Sequence, residues 1–474
     1  MSIVRLSGPR AFPILSVLTS RSPSVYAPRK LMRADVRDAA GNLIDAALAV
    51  CFPGPNSFTG EDVVELHLHG SPVVVEAAIR AACAAGAMPA QPGEFSRRAF
   101  ENGKMDLTQA EGLADLIAAR TQAAASSALR QMRGAIGREI APIRESLVEL
   151  LTALETAIDF GEEDIAQIAP AQICERVKEI TGRLESLLGS YEKGRMLADG
   201  AMVAIAGVAN VGKSLLLNRL AGEERAIVDD APGTTRDFLQ AEVTAAGFTA
   251  LFVDTAGLRE TADPVEQKGV ERSRGVIARA DLVLFVLDGA REVNEEDRQA
   301  YEEARTRPHL LLLNKSDLPA VATGAELAGA ALAGKDMDAD GAFVCEGELG
   351  GKSAGTGEGE GEGIFAGAGK GVIRISAKTG EGIDHLVEAV ARELAISEGA
   401  VLAQAPLTRE RHRQAVEKAL EALARAGESA STGMAPEFTA ADVLEASHAL
   451  AELVGEIAPE EILNELFRRF CIGK

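Results

Sequence analysis

The spacing G-x-x-x-x-G-K-S, met at Gly207, Gly212, Lys213 and Ser214, is that of a phosphate-binding loop. It lies between the apolar run 202–206, which reads as a strand, and Leu215-Leu216-Leu217, which opens a helix. Glycines in such a loop let backbone N–H groups close around phosphate oxygens. Lys213 then reaches the outer phosphates, and Ser214 supplies an oxygen to Mg2+. The loop predicts a nucleoside triphosphate as ligand.

Four more motifs follow in the order such a site requires. Asp254-Thr255-Ala256-Gly257 comes directly after the apolar run 250–253. An aspartate at that strand end holds the metal's water shell, and the glycine lets backbone approach the γ-phosphate. Thr234-Thr235-Arg236-Asp237 lies between the two motifs, where a switch loop supplies a second metal-binding hydroxyl, assigned to Thr235. Asn314-Lys315-Ser316-Asp317 follows the apolar run 310–313, and its carboxylate can accept from the N1–H and exocyclic amine of guanine, which adenine lacks. Ser376-Ala377-Lys378, after the strand-like run 372–375, completes a guanine pocket. Together the motifs predict a GTPase.

The residue after Gly257 is Leu258, where Ras-like proteins carry a water-orienting glutamine. Leucine cannot orient water. Asn210, inside the phosphate loop, is a candidate to hold a monovalent cation beside the phosphates; the alternative is that it braces its own loop. Glu266 falls in the polar stretch 260–271, and its alternative is a solvated helix charge.

Beyond these motifs, the segments 52–62 (Phe-Pro-Gly-Pro-Asn-Ser-Phe-Thr-Gly-Glu-Asp) and 92–100 (Pro-Gly-Glu-Phe-Ser-Arg-Arg-Ala-Phe) and the terminal Cys471-Ile-Gly-Lys474 give the chain a second signature. Over nearly its full length it resembles the tRNA modification GTPases of the MnmE (TrmE) family. The resemblance implies that Asn210 binds potassium and that Glu266 positions the hydrolytic water, making Glu266, Asn210 and Lys213 the catalytic set. It implies GTP contacts from Asn210, Val211, Gly212, Lys213, Ser214 and Leu215, from the loop Asp229, Asp230, Ala231, Pro232, Gly233, Thr234 and Thr235, and from the four motifs above. Mg2+ falls to Ser214 and Thr235, and K+ to Asn210, Asp229, Ala231 and Thr234. Asp229 and Pro232 depart from the threonine and small residue expected there.

The front of the chain is similar to folate-binding folds of the aminomethyltransferase kind. The resemblance implies a 5-formyltetrahydrofolate site at Arg5, Glu65, Lys104 and Lys474, where cations meet glutamate carboxylates and a carboxylate accepts from pterin N–H groups. Family members carry a further strand and glycine-rich turn ahead of Met1, so a truncated start is expected here. The implied assembly is a homodimer that forms a heterotetramer with the FAD-dependent GidA (MnmG) protein and acts on tRNA. The alternative is a GTPase switch for ribosome or RNA assembly without modification chemistry. A third reading is a folate-binding module without activity.

Composition bounds these expectations. The 474 residues suffice for about three domains. With 71 acidic against 49 basic residues the formal net charge is −22, so tRNA binding requires a local basic patch or a partner's surface. No apolar run reaches the length of a membrane span and no signal peptide is visible, which excludes a helical membrane protein and predicts a cytoplasmic location. Five scattered cysteines point to a reducing compartment.

The expected fold class is α/β multidomain: a folate-binding-like α/β N-terminal domain (1–103), an α-helical bundle in two parts (104–197 and 399–474), and a Ras-like phosphate-loop GTPase domain inserted between them (198–398). The apolar stripe from Leu129 to Ile158 predicts one amphipathic helix, kinked at Pro142, and a second stripe runs from Ile173 to Leu187. Val416, Leu420 and Leu423, then the stretch 443–470, predict the helices that complete the bundle. Residues 332–371, rich in Gly, Ala and acids, read as a disordered surface insertion. Gly350-Gly-Lys-Ser353 within it imitates a phosphate loop, but Glu346 stands where the first glycine is required. His67 and His69 fall on one face of a strand and are expected to be packed or hydrogen-bonded rather than metal-binding. Cys471 is assigned to a functional tail, with a catalytic role for its thiol left open.

Overall fold

The computed structural model describes residues 1–159, 168–222, 240–245, 248–255, 274–322, 372–394, 407–457, 460–468 and 470. The chain divides into two compact units, one of residues 1–118, 128–191 and 409–474, the other of residues 119–127 and 192–408.

In the first unit, β1 (Ser2–Ser7), β2 (Met32–Arg37), β3 (Leu43–Phe52) and β4 (Val63–Leu68) form an antiparallel sheet in the order β1-β4-β3-β2. Side chains alternate faces along a strand. Val64, Leu66 and Leu68 therefore point into a core with Ile14, Leu15 and Leu18 of α1 (Ala11–Thr19) and Ala78 and Ala82 of α2 (Pro72–Ala84). Glu65 and His67 take the opposite face, and the register sets Arg5 directly across from Glu65.

The next helices are α3 (Glu94–Glu101), α4 (Leu107–Ala118), α5 (Gln122–Met132), α6 (Ala135–Asp159) and α7 (Pro170–Leu188). The single kinked helix expected from Leu129 to Ile158 is instead the end of α5 followed by α6. Gly134, at φ +78, takes the left-handed conformation that stops a helix, whereas Pro142 sits on the exposed side of α6 without ending it. Ile136, Ile140, Ile143, Leu147, Leu150 and Leu154 make the buried stripe of α6, and Ile173, Val177, Ile180 and Leu184 that of α7. These stripes pack against the helices Glu410–Ser431 and Pro436–Val454. The latter two also pack against each other, and both bury small residues, among them Ala419, Ala422 and Ala426 in the first and Ala446 and Ala449 in the second. A last helix, Glu460–Arg468, buries Leu463, Leu466 and Phe467 with Leu107 and Ala110 of α4.

α8 (Tyr191–Asp199) carries the chain into the second unit, which also takes in residues 119–127. That unit is built on β5 (Ala201–Ala206), β6 (Gln240–Ala245), β7 (Phe248–Asp254), β8 (Leu282–Asp288), β9 (His309–Asn314) and β10 (Val372–Arg374). The sheet order is β10-β9-β8-β5-β7-β6, parallel throughout except for the β6–β7 pair. Leu282 to Leu287 are all buried, as a strand covered on both faces requires. One face packs on α9 (Lys213–Gly222) and the helix Ile383–Glu393, the other on residues 276–280 and Ala304. A parallel sheet brings its strand ends, and the loops that follow them, to one edge.

The expected insertion, its Gly350–Ser353 sequence, the loop 229–235, Ala256, Gly257, Leu258, Glu266 and the tail 471–474 lie outside the described residues.

Candidate functional site

The phosphate loop joins β5 to α9 with geometry that its residue types make possible. Gly207 has φ +140, and a Cβ there would fall 2.4 Å from the Val286 carbonyl oxygen. Gly212 has φ +101, and its Cβ would fall 2.2 Å from Asn314 Nδ2, so neither position accepts a side chain. Asn210 sits at the exposed crest of the loop at φ 64, in the left-handed region that asparagine tolerates better than most residues. Lys213, 4% exposed, folds back so that its Nζ donates to the Gly207 and Val208 carbonyls at 2.8 and 2.6 Å. That ammonium inside a loop of converging amides, at the start of a helix, is chemistry suited to a polyphosphate.

At the neighbouring strand ends, Ser214 Oγ donates to Asp254 Oδ2 at 2.6 Å, and Asp254 is fully buried. A hydroxyl and a carboxylate so placed are hard oxygen donors of the kind Mg2+ takes, directly or through water. Thr255 is held by its Oγ1, which donates to the Ile205 carbonyl at 2.9 Å.

The base-recognition loops are braced from below. Asn314, 2% exposed, donates from Nδ2 to the Val211 carbonyl at 2.7 Å and accepts from Ala377 N–H at 2.9 Å. One amide thus ties the phosphate loop to the Ser376-Ala377-Lys378 loop. Ser376 Oγ donates to Asp317 Oδ1 at 2.7 Å and accepts from Thr379 N–H at 3.1 Å, orienting a carboxylate that is itself exposed. Lys315, at φ 68, pairs through Nζ with Asp288 Oδ2 at 2.6 Å. Burial pushes the Asp288 carboxyl up, but Lys315 and the Ala290 N–H outweigh it and hold it below the usual carboxylate range. Arg219 of α9 donates to the Ala377 and Lys378 carbonyls, fixing the far side of the same loop. Asp288 and Arg219 were missed in the sequence, although Asp288 carries the same signal as Asp254, an acid directly ending an apolar strand.

In the front sheet, Arg5 pairs with Glu65 at 2.8 Å and lies 5.7 and 5.6 Å from the Phe58 and Phe95 ring centres. Lys104 is exposed beside Gly60. Arg5 and Glu65 thus form a partly exposed pair of opposite charges on the face away from the core. The expectation that His67 and His69 share a strand face needs amending, because β4 ends at Leu68. His67 contacts Glu65 at 3.3 Å, while His69 Nδ1 meets Asp45 at 2.7 Å beyond the strand. Among the described residues no cluster of His, Cys, Asp and Glu has metal-ligand geometry. The Cys51 thiol is pushed up to about 11 by burial and is no nucleophile at neutral pH. Among the described residues no helix is long and apolar enough to cross a membrane.

Fold and site together define a phosphate-loop GTPase. The family model for the TrmE N-terminus, a GTP-binding protein, matches residues 1–104, and that for the MnmE helical domain matches residues 107–471. The tRNA modification GTPase MnmE of Aquifex aeolicus is 37% identical over 477 aligned residues, which take in 100% of this chain and 96% of the relative. That of Rhodopseudomonas palustris is 40% identical over 476, with the same coverage. Among solved structures, Era of Aquifex aeolicus bound to GDP and aluminium fluoride aligns with 47% of this chain and 66% of its own at 24% identity and a TM-score of 0.29. The chain belongs to the MnmE family of tRNA modification GTPases.

Proposed function

We propose that this protein is a potassium-dependent GTPase that works with a flavin-dependent partner of the GidA (MnmG) type to modify the C5 position of the wobble uridine in certain tRNAs. The one-carbon unit comes from 5-formyltetrahydrofolate, and the acting species is a homodimer joined to its partner in the cytoplasm. The observation that carries the reading is the full-length family match, joined to a nucleotide site whose Asp317 carboxylate is oriented by Ser376.

In the hydrolysis reaction Lys213 and the loop amides neutralise the phosphates, and Ser214 with Thr235 holds Mg2+. Asp317 accepts from the guanine N1–H and amine, and the Asn314 brace keeps it in register with the phosphate loop. Glu266 positions the attacking water. Asn210, with Asp229, Ala231 and Thr234, holds the potassium that offsets transition-state charge in place of an arginine finger. Arg5, Glu65, Lys104 and Lys474 hold the folate, which supplies the carbon added to the base. The domain division at 103, 197 and 398 belongs to the same reading, with the nucleotide domain inserted so that its cycle moves the bundle. The test is nucleoside analysis of tRNA from cells lacking the chain. Loss of the C5-substituted wobble uridine is expected, and an unchanged wobble uridine overturns the function.

A further inference from the structure

A cavity of about 660 Å³ opens within the first unit between α3 and the Glu460–Arg468 helix. The two helices approach each other at Gly93 and at Arg97, and Phe100 packs against the apolar cluster of Leu463, Leu466 and Phe467. At Gly93, φ +69, the backbone runs so close that a Cβ would fall 2.4 Å from the Phe467 carbonyl oxygen. One turn on, Arg97 donates to Asn464 Oδ1 at 2.9 Å and pairs with Glu460 at 2.5 Å. Beside these contacts the surfaces diverge, and charged and amide side chains line the space together with Pro92 and Phe467.

Its lining is close to charge-balanced. Arg97, Arg98 and Arg468 stand against Glu61, Glu94 and Glu101, and Arg98 is already engaged by Glu94 at 2.7 Å and Glu61 at 3.2 Å. A multiply charged ligand body gains little there, whereas a neutral planar one with hydrogen-bonding edges is suited. Two amides offer such an edge. Asn102 donates its Nδ2 to the Thr59 carbonyl at 2.7 Å, which leaves Oδ1 as an acceptor without a partner among the described residues. Asn464 has its Oδ1 taken by Arg97, which leaves its Nδ2 hydrogens as donors. Each amide's orientation is fixed by the partner it already has. One acceptor and one donor match the N3–H and a carbonyl oxygen of uracil; cytosine would set its N3 lone pair against the Asn102 acceptor. Arg468, exposed at the end of its helix, lines the same cavity and makes no ion pair among the described residues, so its guanidinium is available to a phosphate.

We infer that this cavity receives the target uridine, extruded from its RNA, with Asn102 and Asn464 reading the uracil edge and Arg468 meeting the backbone. Chemistry at C5 needs the base out of its stack, and the volume lies within the roughly 300–1,000 Å³ range of small-ligand pockets. The inference rests on the tRNA-modifying reading above.

The test uses the full chain with its flavin-dependent partner and an anticodon stem–loop RNA carrying 4-thiouridine at the wobble position. Near-ultraviolet cross-linking should attach the RNA to residues 97–102 or 460–468. In parallel, the chain should bind the uridine stem–loop about 10-fold tighter than its cytidine counterpart. Asn102→Leu should abolish that preference while phosphate contacts keep overall binding. Arg468→Ala, a surface change that spares the fold, should lower the salt slope of binding by about 1. Cross-links confined to other residues or to the partner, or a uridine preference that survives Asn102→Leu, would overturn the site while leaving the tRNA reading intact. No stem–loop binding at all would overturn both.

Discussion

Replacing Asn314 by alanine probes the nucleotide site at its structural centre. The side chain is 2% exposed and makes two hydrogen bonds, to Val211 O at 2.7 Å and from Ala377 N at 2.9 Å. Val211 and Ala377 are each 1% exposed, so truncation leaves a buried carbonyl and a buried amide without partners. Each such orphan costs about 1–3 kcal/mol. In the nucleotide-free protein the phosphate loop and the Ser376–Lys378 loop relax to recover those bonds, and binding must then restore their alignment. The cost therefore appears in affinity, at about 2–4 kcal/mol once partial rehydration is allowed for. At 1.4 kcal/mol per tenfold, GTP and GDP affinity should fall about 30- to 700-fold. Asn314→Asp keeps the acceptor for Ala377 N–H but loses the donor to Val211 O, so it should fall between the two. Titration of a fluorescent GDP analogue into the full-length variants measures this directly. An Asn314→Ala variant within threefold of the unmodified affinity and with an unchanged thermal midpoint would show that the two loops do not depend on this amide.

Asp317→Asn should shift preference from guanine toward xanthine nucleotides, because the carboxylate acceptor becomes a donor toward the altered base edge; equal ATP and GTP binding by the unmodified chain would refute the assignment. Glu266→Ala should keep GTP binding and the potassium response but lose about 100-fold or more in turnover, whereas Asn210→Ala should lose the potassium response itself. Equal turnover in potassium and sodium for the unmodified chain would end that mechanism. Deleting residues 335–369 should leave hydrolysis nearly unchanged, since loop closure costs only about 0.6 kcal/mol per doubling of length; loss of nucleotide binding would contradict it. Glu111→Ala should destabilise the first unit by about 3–5 kcal/mol, because Arg411 and His412 lose their shared carboxylate. Burial holds the His412 imidazole below its ordinary 6.5, and at Glu111 the effect of burial is outweighed by His412 and Arg411, which hold that carboxyl far below 4.5. The unfolded chain then binds more protons on acidification, so stability is full above about pH 6.5 and falls below it; a thermal midpoint flat from about pH 7 to 4 would refute this.

The nucleotide site was legible because each of its motifs is local. Lys213 and Ser214 are adjacent, Asp254 ends its own strand, and Asn314, Lys315 and Asp317 share one loop, so the parallel sheet only had to align strand ends. What escaped was whatever depends on two distant segments. The Asn314 brace joins residues 103 and 63 positions away, and Arg97 reaches Asn464 across 367 positions. Periodicity alone also misled at α5 and α6. Apolar spacing of three and four persists across Gly134, because a left-handed residue reorients the chain without disturbing the pattern of apolar letters.

The buried polar cluster in the helical part shows why such pairs matter to an inserted domain. Glu111, with 5% of its side chain exposed, is gripped by Arg411 at 2.6 Å and accepts from His412 Nε2 at 2.8 Å. His412 Nδ1 faces the Arg409 N–H, so the neutral imidazole carries its proton toward Glu111. Arg409 pairs with Asp115, and Tyr191 OH donates to Glu410 at 2.9 Å. The chain passes from one unit to the other after residues 118, 127, 191 and 408. The first unit therefore ties three of these four crossing points, those at 118, 191 and 408, together beside Glu111. Apolar packing could hold α4 against the Glu410–Ser431 helix in several nearly equivalent registers, whereas a buried carboxylate has to meet its own arginine and histidine. On this argument the cluster's contribution is registry at the points of insertion, and it is carried by residues that no local pattern in the sequence singles out.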